Sequence, residues 1–127
     1  MSVYYKSIQR VEPGVVGGGT RKYYATIVPG NTLDLVELSQ DVADNTTVSE
    51  TDAYAVLKAL EKQIPKQLSR GFKIKLGDFG YFRLSLSSTG HELEEEVDVN
   101  SIKKARIIFT PGMYIKNILK TLKYEKV

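Results

Sequence analysis

The chain reads KIKLGDFGYF at residues 73–82 and ARIIFTPG at residues 105–112, and these two stretches decide the fold. In the first stretch, apolar residues alternate with lysines, which predicts a half-buried strand with a basic second face. Gly77-Asp78 then turns the chain. The alternation resumes over residues 82–86, so a second strand is predicted to adjoin the first and to repeat its division into an apolar and a polar face.

The second stretch predicts a returning strand and the start of a helix. Residues 105–109 contain the β-branched and aromatic residues that pack well in sheets. Pro111 interrupts this pattern, and proline is favoured in the first turn of a helix. Apolar residues follow at helical spacing as far as Leu122, so the last helix is predicted to begin at Pro111-Gly112 and to include Leu122.

Two helices are predicted upstream of the strands. Apolar residues recur at three- and four-residue steps over residues 33–44, which favours a first helix there. Ser49 is a typical N-capping residue, because its side chain can accept a hydrogen bond from a free backbone N–H of the first turn. A second helix is therefore predicted from Ser49 to Gly71, where glycine supplies a left-handed stop.

The first thirty residues predict β structure. Residues 3–10 and 22–28 are rich in Tyr, Val, Ile and Thr and are interpreted as a hairpin or as paired edge strands. The glycines between them lack the spacing of a phosphate-binding loop and are interpreted as a flexible hairpin loop. Residues 93–99 are a weaker strand candidate.

Composition limits the classes of function. The 127 residues suffice for one main core with an appended element. The sequence has 0 Cys and 1 His, so a thiol nucleophile, a cysteine metal site and a multi-histidine site are excluded, and neither an enzyme nor a cofactor is expected. No apolar run approaches the roughly 18 residues that cross a bilayer, and no signal peptide is recognisable, so we expect a cytoplasmic protein with no membrane partner and no small-molecule substrate.

The charges are segregated along the chain. The formal net charge is only +3, but from residue 99 onward basic residues stand against the single acid Glu125. Residues 92–98 form an acidic block just upstream. A polyanion is therefore expected to meet the C-terminal half of the chain.

The two stretches, in this order and separation, resemble the HU and integration-host-factor family of bacterial architectural DNA-binding proteins. The first is similar to the family's tight Gly-Phe-Gly-x-Phe turn, and the second to its Phe-x-Pro-Gly start of the last helix. The resemblance covers residues 31–123. The additional N-terminal β segment resembles an extended group called HU-HIG.

The resemblance implies an α+β fold with an N-terminal two-helix hairpin, an antiparallel sheet with a β-ribbon arm, and a C-terminal helix. Residues 1–30 would be an N-terminal β extension packed on the main domain, and residues 31–127 the HU-like DNA-binding domain. A single copy would cover its apolar faces poorly in a chain of this size, so an intertwined homodimer is expected.

The partner that the resemblance implies is double-stranded DNA, held by lysines and arginines on its phosphates. Alternation puts the leading candidates on the non-core face of adjacent strands, although such a face can also be merely solvated. Paired lysines on a last helix are often only solubilising. The candidate contact residues are Lys73, Lys75, Arg83, Lys103, Lys104, Arg106, Lys116 and Lys120.

The arm departs from the family pattern. Family members often insert a proline at the arm tip between base steps, yet no proline occurs between Pro65 and Pro111. An acidic run at residues 92–96 stands in its place and would repel phosphates. Only mild DNA bending is therefore expected. The alternative is an HU-fold module for protein interaction that has lost DNA binding, with the arm and the tyrosine-rich N-terminal strands contacting another protein.

Overall fold

A computed structural model describes all of residues 1–127 and separates them into two compact units. Unit 1 comprises residues 1–32 and 118–127, and unit 2 comprises residues 33–117. In chain order, the helices and strands are β1 (Val3–Val11), β2 (Arg21–Ile27), α1 (Leu35–Asp44), α2 (Glu50–Leu68), β3 (Ile74–Lys75), β4 (Gly80–Ser88), β5 (Ile102–Pro111), α3 (Met113–Lys120) and β6 (Tyr124–Lys126). The expected α+β class is confirmed. None of the helices combines the length and the apolar composition that a bilayer crossing requires.

The helices of unit 2 begin and end where local chemistry allows. The carboxylate of Asp34 accepts the backbone N–H of Glu37 at 3.0 Å, so α1 starts two residues later than the predicted Leu33. Ser49 caps α2 as predicted, since its Oγ accepts the backbone N–H of Asp52 at 3.1 Å. The helix α2 ends at Leu68, before the predicted stop at Gly71. Gly71 has a φ of 85°, the left-handed conformation that the sequence predicts, and lies at the end of the turn that follows the helix.

The sheet of unit 2 has the strand order β3-β4-β5 with antiparallel neighbours. Phe82 lies opposite Ile74 in β3 and opposite Phe109 in β5. The ladder of β4 and β5 runs from the pair Gly80 and Pro111 to a bulge beside Ser88. Strand β3 is shorter than the predicted alternation of apolar residues and lysines, because only Ile74 and Lys75 form bridges to β4.

The turn between β3 and β4 packs directly against the start of α3. The backbone N–H of Phe79 donates to the carbonyl of Leu76 at 3.0 Å and closes the turn. On the other side, the N–H of Gly112 donates to the carbonyl of Phe79 at 2.9 Å, and that of Tyr114 donates to the carbonyl of Asp78 at 3.2 Å. The two stretches that decide the fold therefore form one structural junction.

Unit 1 is a sheet of order β2-β1-β6. Strands β1 and β2 form the predicted hairpin, with Tyr5 opposite Ile27 and Val11 opposite Arg21. Strand β6 pairs with β1 in parallel, placing Tyr124 beside Val3. The sequence did not predict β6, because three residues at the end of a chain carry too little pattern to indicate a strand. The packing of residues 1–30 on the main domain stays a prediction.

Two sequence-based expectations are wrong. Residues 93–99 do not form a strand; they contain the 3₁₀ turn Glu94–Glu96 and lead into a second one at Val99–Ser101. Repulsion within a run of glutamates and the local capping chemistry of Asp98 favour short turns over an extended ladder there. The last helix ends at Lys120 and excludes Leu122, because the chain leaves the helix to reach β6.

The single chain buries very little apolar surface. Ala53 and Leu68 are its only buried hydrophobic residues. Its accessible surface is 10575 Å², whereas a compact monomer of this mass exposes about 6,800 Å² and two separate bodies of the units' sizes about 8,000 Å². Large apolar faces are thus open to solvent in the isolated chain.

Candidate nucleic-acid interface

One face of the unit 2 sheet is basic. Residues that lie opposite each other in an antiparallel pair point to the same side, and alternate residues along a strand share that side. Lys75 lies opposite Tyr81, Ser85 opposite Arg106, and Ser87 opposite Lys104. This alternation collects most of the candidate contacts on one side, here called the basic face: Lys73, Lys75, Arg83, Lys104 and Arg106.

The charges of the basic face follow the lattice of the sheet. Lys104 and Arg106 are two residues apart on β5, which corresponds to about 7 Å. Arg83 is the diagonal neighbour of Arg106 across the two strands, again at about 7–8 Å. Strands β3, β4 and β5 contain no acidic residue. The face therefore presents a regular field of one sign.

None of the cations of the basic face is neutralised by an ion pair. The ion pairs of the structure lie elsewhere, at Lys22 and Glu12, Lys58 and Glu61, and His91 and Glu96. The ammonium group of Lys73 lies 5.2 Å from the ring centroid of Tyr81, close enough for a cation–π contact. That contact orients Lys73 without cancelling its charge.

The remaining candidates lie outside the basic face. Lys103 is the extra residue of the β-bulge, since Ser87 pairs with Lys104 and Ser88 pairs with Ile102. Lys116 and Lys120 lie on α3, four residues apart along one side of the helix. The structure therefore brings five of the eight candidates onto one sheet face and does not bring the other three onto it.

The arm tip, defined as residues 89–101, is held by a compact hydrogen-bond network. The backbone N–H of Thr89 donates to the carbonyl of Ser101 at 2.8 Å and joins the two ends of the tip. The backbone N–H of Asp98 donates to the Oγ of Ser101 at 3.1 Å, and the carboxylate of Asp98 accepts the backbone N–H of Asn100 at 2.9 Å. This reciprocal capping box fixes the second 3₁₀ turn.

His91, an exposed residue of the arm, is part of the same network. Its Nε2 lies 2.9 Å from the Oγ of Ser101, and its Nδ1 lies 3.5 Å from a carboxylate oxygen of Glu96. A serine, a histidine and a carboxylate in contact in this order also form the triad of many hydrolytic enzymes. However, Ser101 is only 4% exposed and its Oγ already accepts the Asp98 N–H, so the contacts hold the tip together. The Asp-x-x-Ser spacing of Asp98 and Ser101 is the sequence signal that could have predicted this capping box.

The tip keeps its acidic surface beyond this network. Glu92, Glu94 and Glu95 make no ion pair, and all three are exposed. No group of three or more His, Cys, Asp or Glu side chains is placed to hold a metal ion. The basic face of the sheet is therefore cationic, whereas the arm tip that connects β4 to β5 is anionic.

The opposite face of the sheet is apolar. Phe109 packs against Phe82 with ring centroids 4.9 Å apart and against Phe79 at 5.4 Å. Farther along the same strands, Leu86 is 53% exposed and Ile107 is 51% exposed. The aromatic end of this apolar face is packed within the chain, whereas its outer end lacks a partner.

Comparisons with known proteins found a matching family model and a similar crystal structure. The family model HU-HIG, described as an HU domain fused to a wHTH, Ig or glycine-rich motif, matches residues 1–126. A crystal structure from Bacteroides vulgatus, provisionally described as a bacterial DNA binding protein, superimposes with a TM-score of 0.65 at 11% identity. The match covers 100% of this chain and 49% of that one, so this chain spans about half the length of that structure. None of the curated proteins matches the sequence.

Proposed function

The chain belongs to the HU-HIG family, and on that premise we propose that it is a homodimeric, non-enzymatic protein that binds double-stranded DNA. It contacts the phosphate backbone with little base specificity and acts as an architectural component of the nucleoid. The observation that carries this proposal is the basic face, on which five cations lie together without an ion-pair partner.

Phosphate binding fits the chemistry of that face. Lysine and arginine that neutralise phosphates release condensed counterions, and this release supplies most of the sequence-independent affinity for DNA. Contacts to phosphates fix the position of a protein on the duplex and carry no direct information about the bases. Arg83 and Arg106 are diagonal neighbours on that face, and Lys103 adds a further charge at the bulge of β5.

Homodimerisation explains the open apolar surface. The chain exposes on the order of 2,500 Å² more than compact bodies of its units' sizes, and exposed contiguous apolar faces of a folded protein mark association sites. Leu86 and Ile107 of the sheet, together with Val56 of α2, are more than half exposed. A second copy that intertwines with the first, as the family resemblance implies, covers these side chains.

The arm tip limits what the protein does to DNA. It lacks proline, and Glu92, Glu94 and Glu95 would meet a phosphate with like charge. The proline wedge between base steps that family members often use is missing, and no sharp kink is expected from it. We therefore propose that the dimer binds along the DNA backbone and bends it mildly.

A salt titration tests the proposal. Fluorescence anisotropy of a labelled random-sequence duplex would be measured at several salt concentrations. The logarithm of affinity should fall linearly with the logarithm of salt, with a slope of about 0.9 for each neutralised phosphate. Two duplexes of unrelated sequence should give similar affinities. Binding that is undetectable at low salt would refute the proposal.

A second candidate function is an interaction module that kept the fold and lost DNA binding. The acidic, proline-free tip favours it, because that is where the arm would otherwise grip DNA. In that case the basic face is only a solvated surface. Duplex binding would then be absent at every salt concentration, while the dimer would persist.

A further inference from the structure

Strand β2 lies at the edge of the unit 1 sheet and has only one strand neighbour, β1. The hydrogen bonds to β1 alternate along β2, as in any antiparallel pair. The N–H of Val28 donates to the carbonyl of Tyr4, and the N–H of Glu12 donates to the carbonyl of Thr20. In this phase the even-numbered residues between Thr20 and Val28 bond to β1.

The odd-numbered residues therefore direct their backbone groups away from β1. Tyr23, Ala25 and Ile27 present free N–H and C=O groups along the open edge, and none of them makes a backbone hydrogen bond to another segment. Natural sheets commonly protect such an edge with lysine, proline or a bulge. The segment 23–27 has none of these devices.

The sequence of this edge is complementary to itself. If two β2 strands meet antiparallel with Ala25 opposite Ala25 of the second copy, Tyr23 of each copy faces Ile27 of the other. Aromatic and β-branched residues form favourable cross-strand pairs, and the alanines leave room at the centre. The next outward position would pair Arg21 with Pro29, which has no N–H, so the ladder ends there.

The charges agree with the same register. Arg21 and Lys22 are the basic residues of β2, and they lie at its first two positions. In an antiparallel pair centred on Ala25, the two copies of Arg21 stand about 27 Å apart along the strands, so like charges do not meet. A parallel pairing in register would instead align them side by side.

An apolar groove borders the edge on one face of the same sheet. It has a volume of about 620 Å³ and is lined by Val3, Tyr5, Ala25, Thr26, Ile27, Leu122 and Tyr124. Tyr23 is 72% exposed and Ile27 is 61% exposed. In the antiparallel register, Tyr23 of the second copy stands directly opposite Ile27, at the border of this groove, and both side chains lose exposed surface.

We propose that two copies of the chain join edge to edge through β2, with Ala25 on the twofold axis and a continuous six-stranded sheet as the product. This association surface belongs to unit 1 and is separate from the apolar sheet face of unit 2. It does not depend on DNA binding. The hydrogen bonds of the edge supply the pairing, and the Tyr23 and Ile27 contacts fix its register.

Disulfide trapping tests the register, because the natural sequence has 0 Cys. Residues in a hydrogen-bonded antiparallel pair have Cα atoms about 5.5 Å apart, within the span of roughly 4.4–6.8 Å that a disulfide bridges. Full-length A25C under mild oxidation should therefore form a covalent dimer, read on a non-reducing gel. The double variant Y23C/I27C should also cross-link, since these positions face each other.

Y23C alone is the matched control. Its thiol is on the same strand and, like that of A25C, at an exposed position. The two copies of residue 23 would stand about 14 Å apart along the strands, too far for a disulfide. The proposal expects cross-linking of A25C and of Y23C/I27C, and little of Y23C. Equal cross-linking of A25C and Y23C would indicate random collision and overturn the proposal. Absence of cross-linking in both A25C and Y23C/I27C would overturn it as well, leaving the edge to an extended segment of another protein. Neither outcome bears on DNA binding.

Discussion

Gly112 donates its backbone N–H to the carbonyl oxygen of Phe79 at 2.9 Å, so the start of α3 is bonded directly to the turn between β3 and β4. The approach is close enough that a Cβ on Gly112 would collide with the backbone of Asp78. The two backbones therefore lie so close at this junction that position 112 has no room for a side chain.

Gly112→Ala should destabilise the protein, because the added methyl group meets backbone atoms that cannot rotate away. Overpacking of this kind costs about 1–3 kcal/mol, which corresponds to a loss of several degrees in Tm. Gly90→Ala is the control, since a Cβ there has nothing within 4 Å. Thermal unfolding followed by circular dichroism measures both; equal Tm values for the two variants would contradict the packing at the junction.

Local sequence signals predicted most elements of unit 2. Short-range signals, such as the Ser49 cap, the Gly71 stop and the alternation in β4, gave the helices and strands of unit 2 within a few residues. Five of the eight candidate contacts share one face because alternation is a local property of strands.

The remainder depended on contacts between distant residues. Strand β6 exists because Tyr124 pairs with Val3, which is distant in the sequence. A segment of three residues has too little pattern to predict such a pairing. The bulge that removes Lys103 from the basic face follows from a register shift that no alternation reveals. The tip became a capped turn because Ser101 meets both His91 and Asp98.

Dimerisation should be sensitive to the outer end of the apolar sheet face. Ile107→Lys places a charge where a second copy is expected to cover the sheet, and an unpaired buried charge is strongly unfavourable. We expect a lower dimer affinity in sedimentation equilibrium. Ser85→Lys on the opposite face is the control and should keep the dimer. For the wild type, Tm should rise with protein concentration; a monomeric wild type whose Tm is independent of concentration would exclude the homodimer.

The acidic tip should weaken DNA binding. Neutralising Glu92, Glu94 and Glu95 to glutamine removes like-charge repulsion with the phosphates, so affinity for a random duplex should increase, most clearly at low salt where screening is weak. The control replaces three acids of the helices, Glu37, Glu50 and Asp52, by their amides, which changes the net charge equally. Equal gains in both variants would assign the effect to net charge and not to the tip.

Bending should be mild. The tip lacks the proline that family members often insert between base pairs, so the end-to-end distance of a doubly labelled duplex should shorten only slightly on binding. Energy transfer between fluorophores at the two ends measures this distance. A sharp kink, comparable to that produced by intercalating architectural proteins, would show that another residue of the chain acts as a wedge.

The assignment of the basic face to DNA is tested most directly by two triple variants that remove the same number of charges. The basic-face variant replaces Lys73, Lys75 and Arg83 together by glutamine. The control variant replaces Lys62, Lys66 and Arg70, which lie within or just after α2, and removes the same total charge. Anisotropy titrations of a random duplex across salt concentrations should show at least a tenfold affinity loss for the basic-face variant. Its salt slope should be lower by about 0.9 for each phosphate contact removed, while the control keeps a slope close to that of the wild type. A basic-face variant that binds like the wild type, or a control that loses as much, would contradict the assignment of this face to DNA.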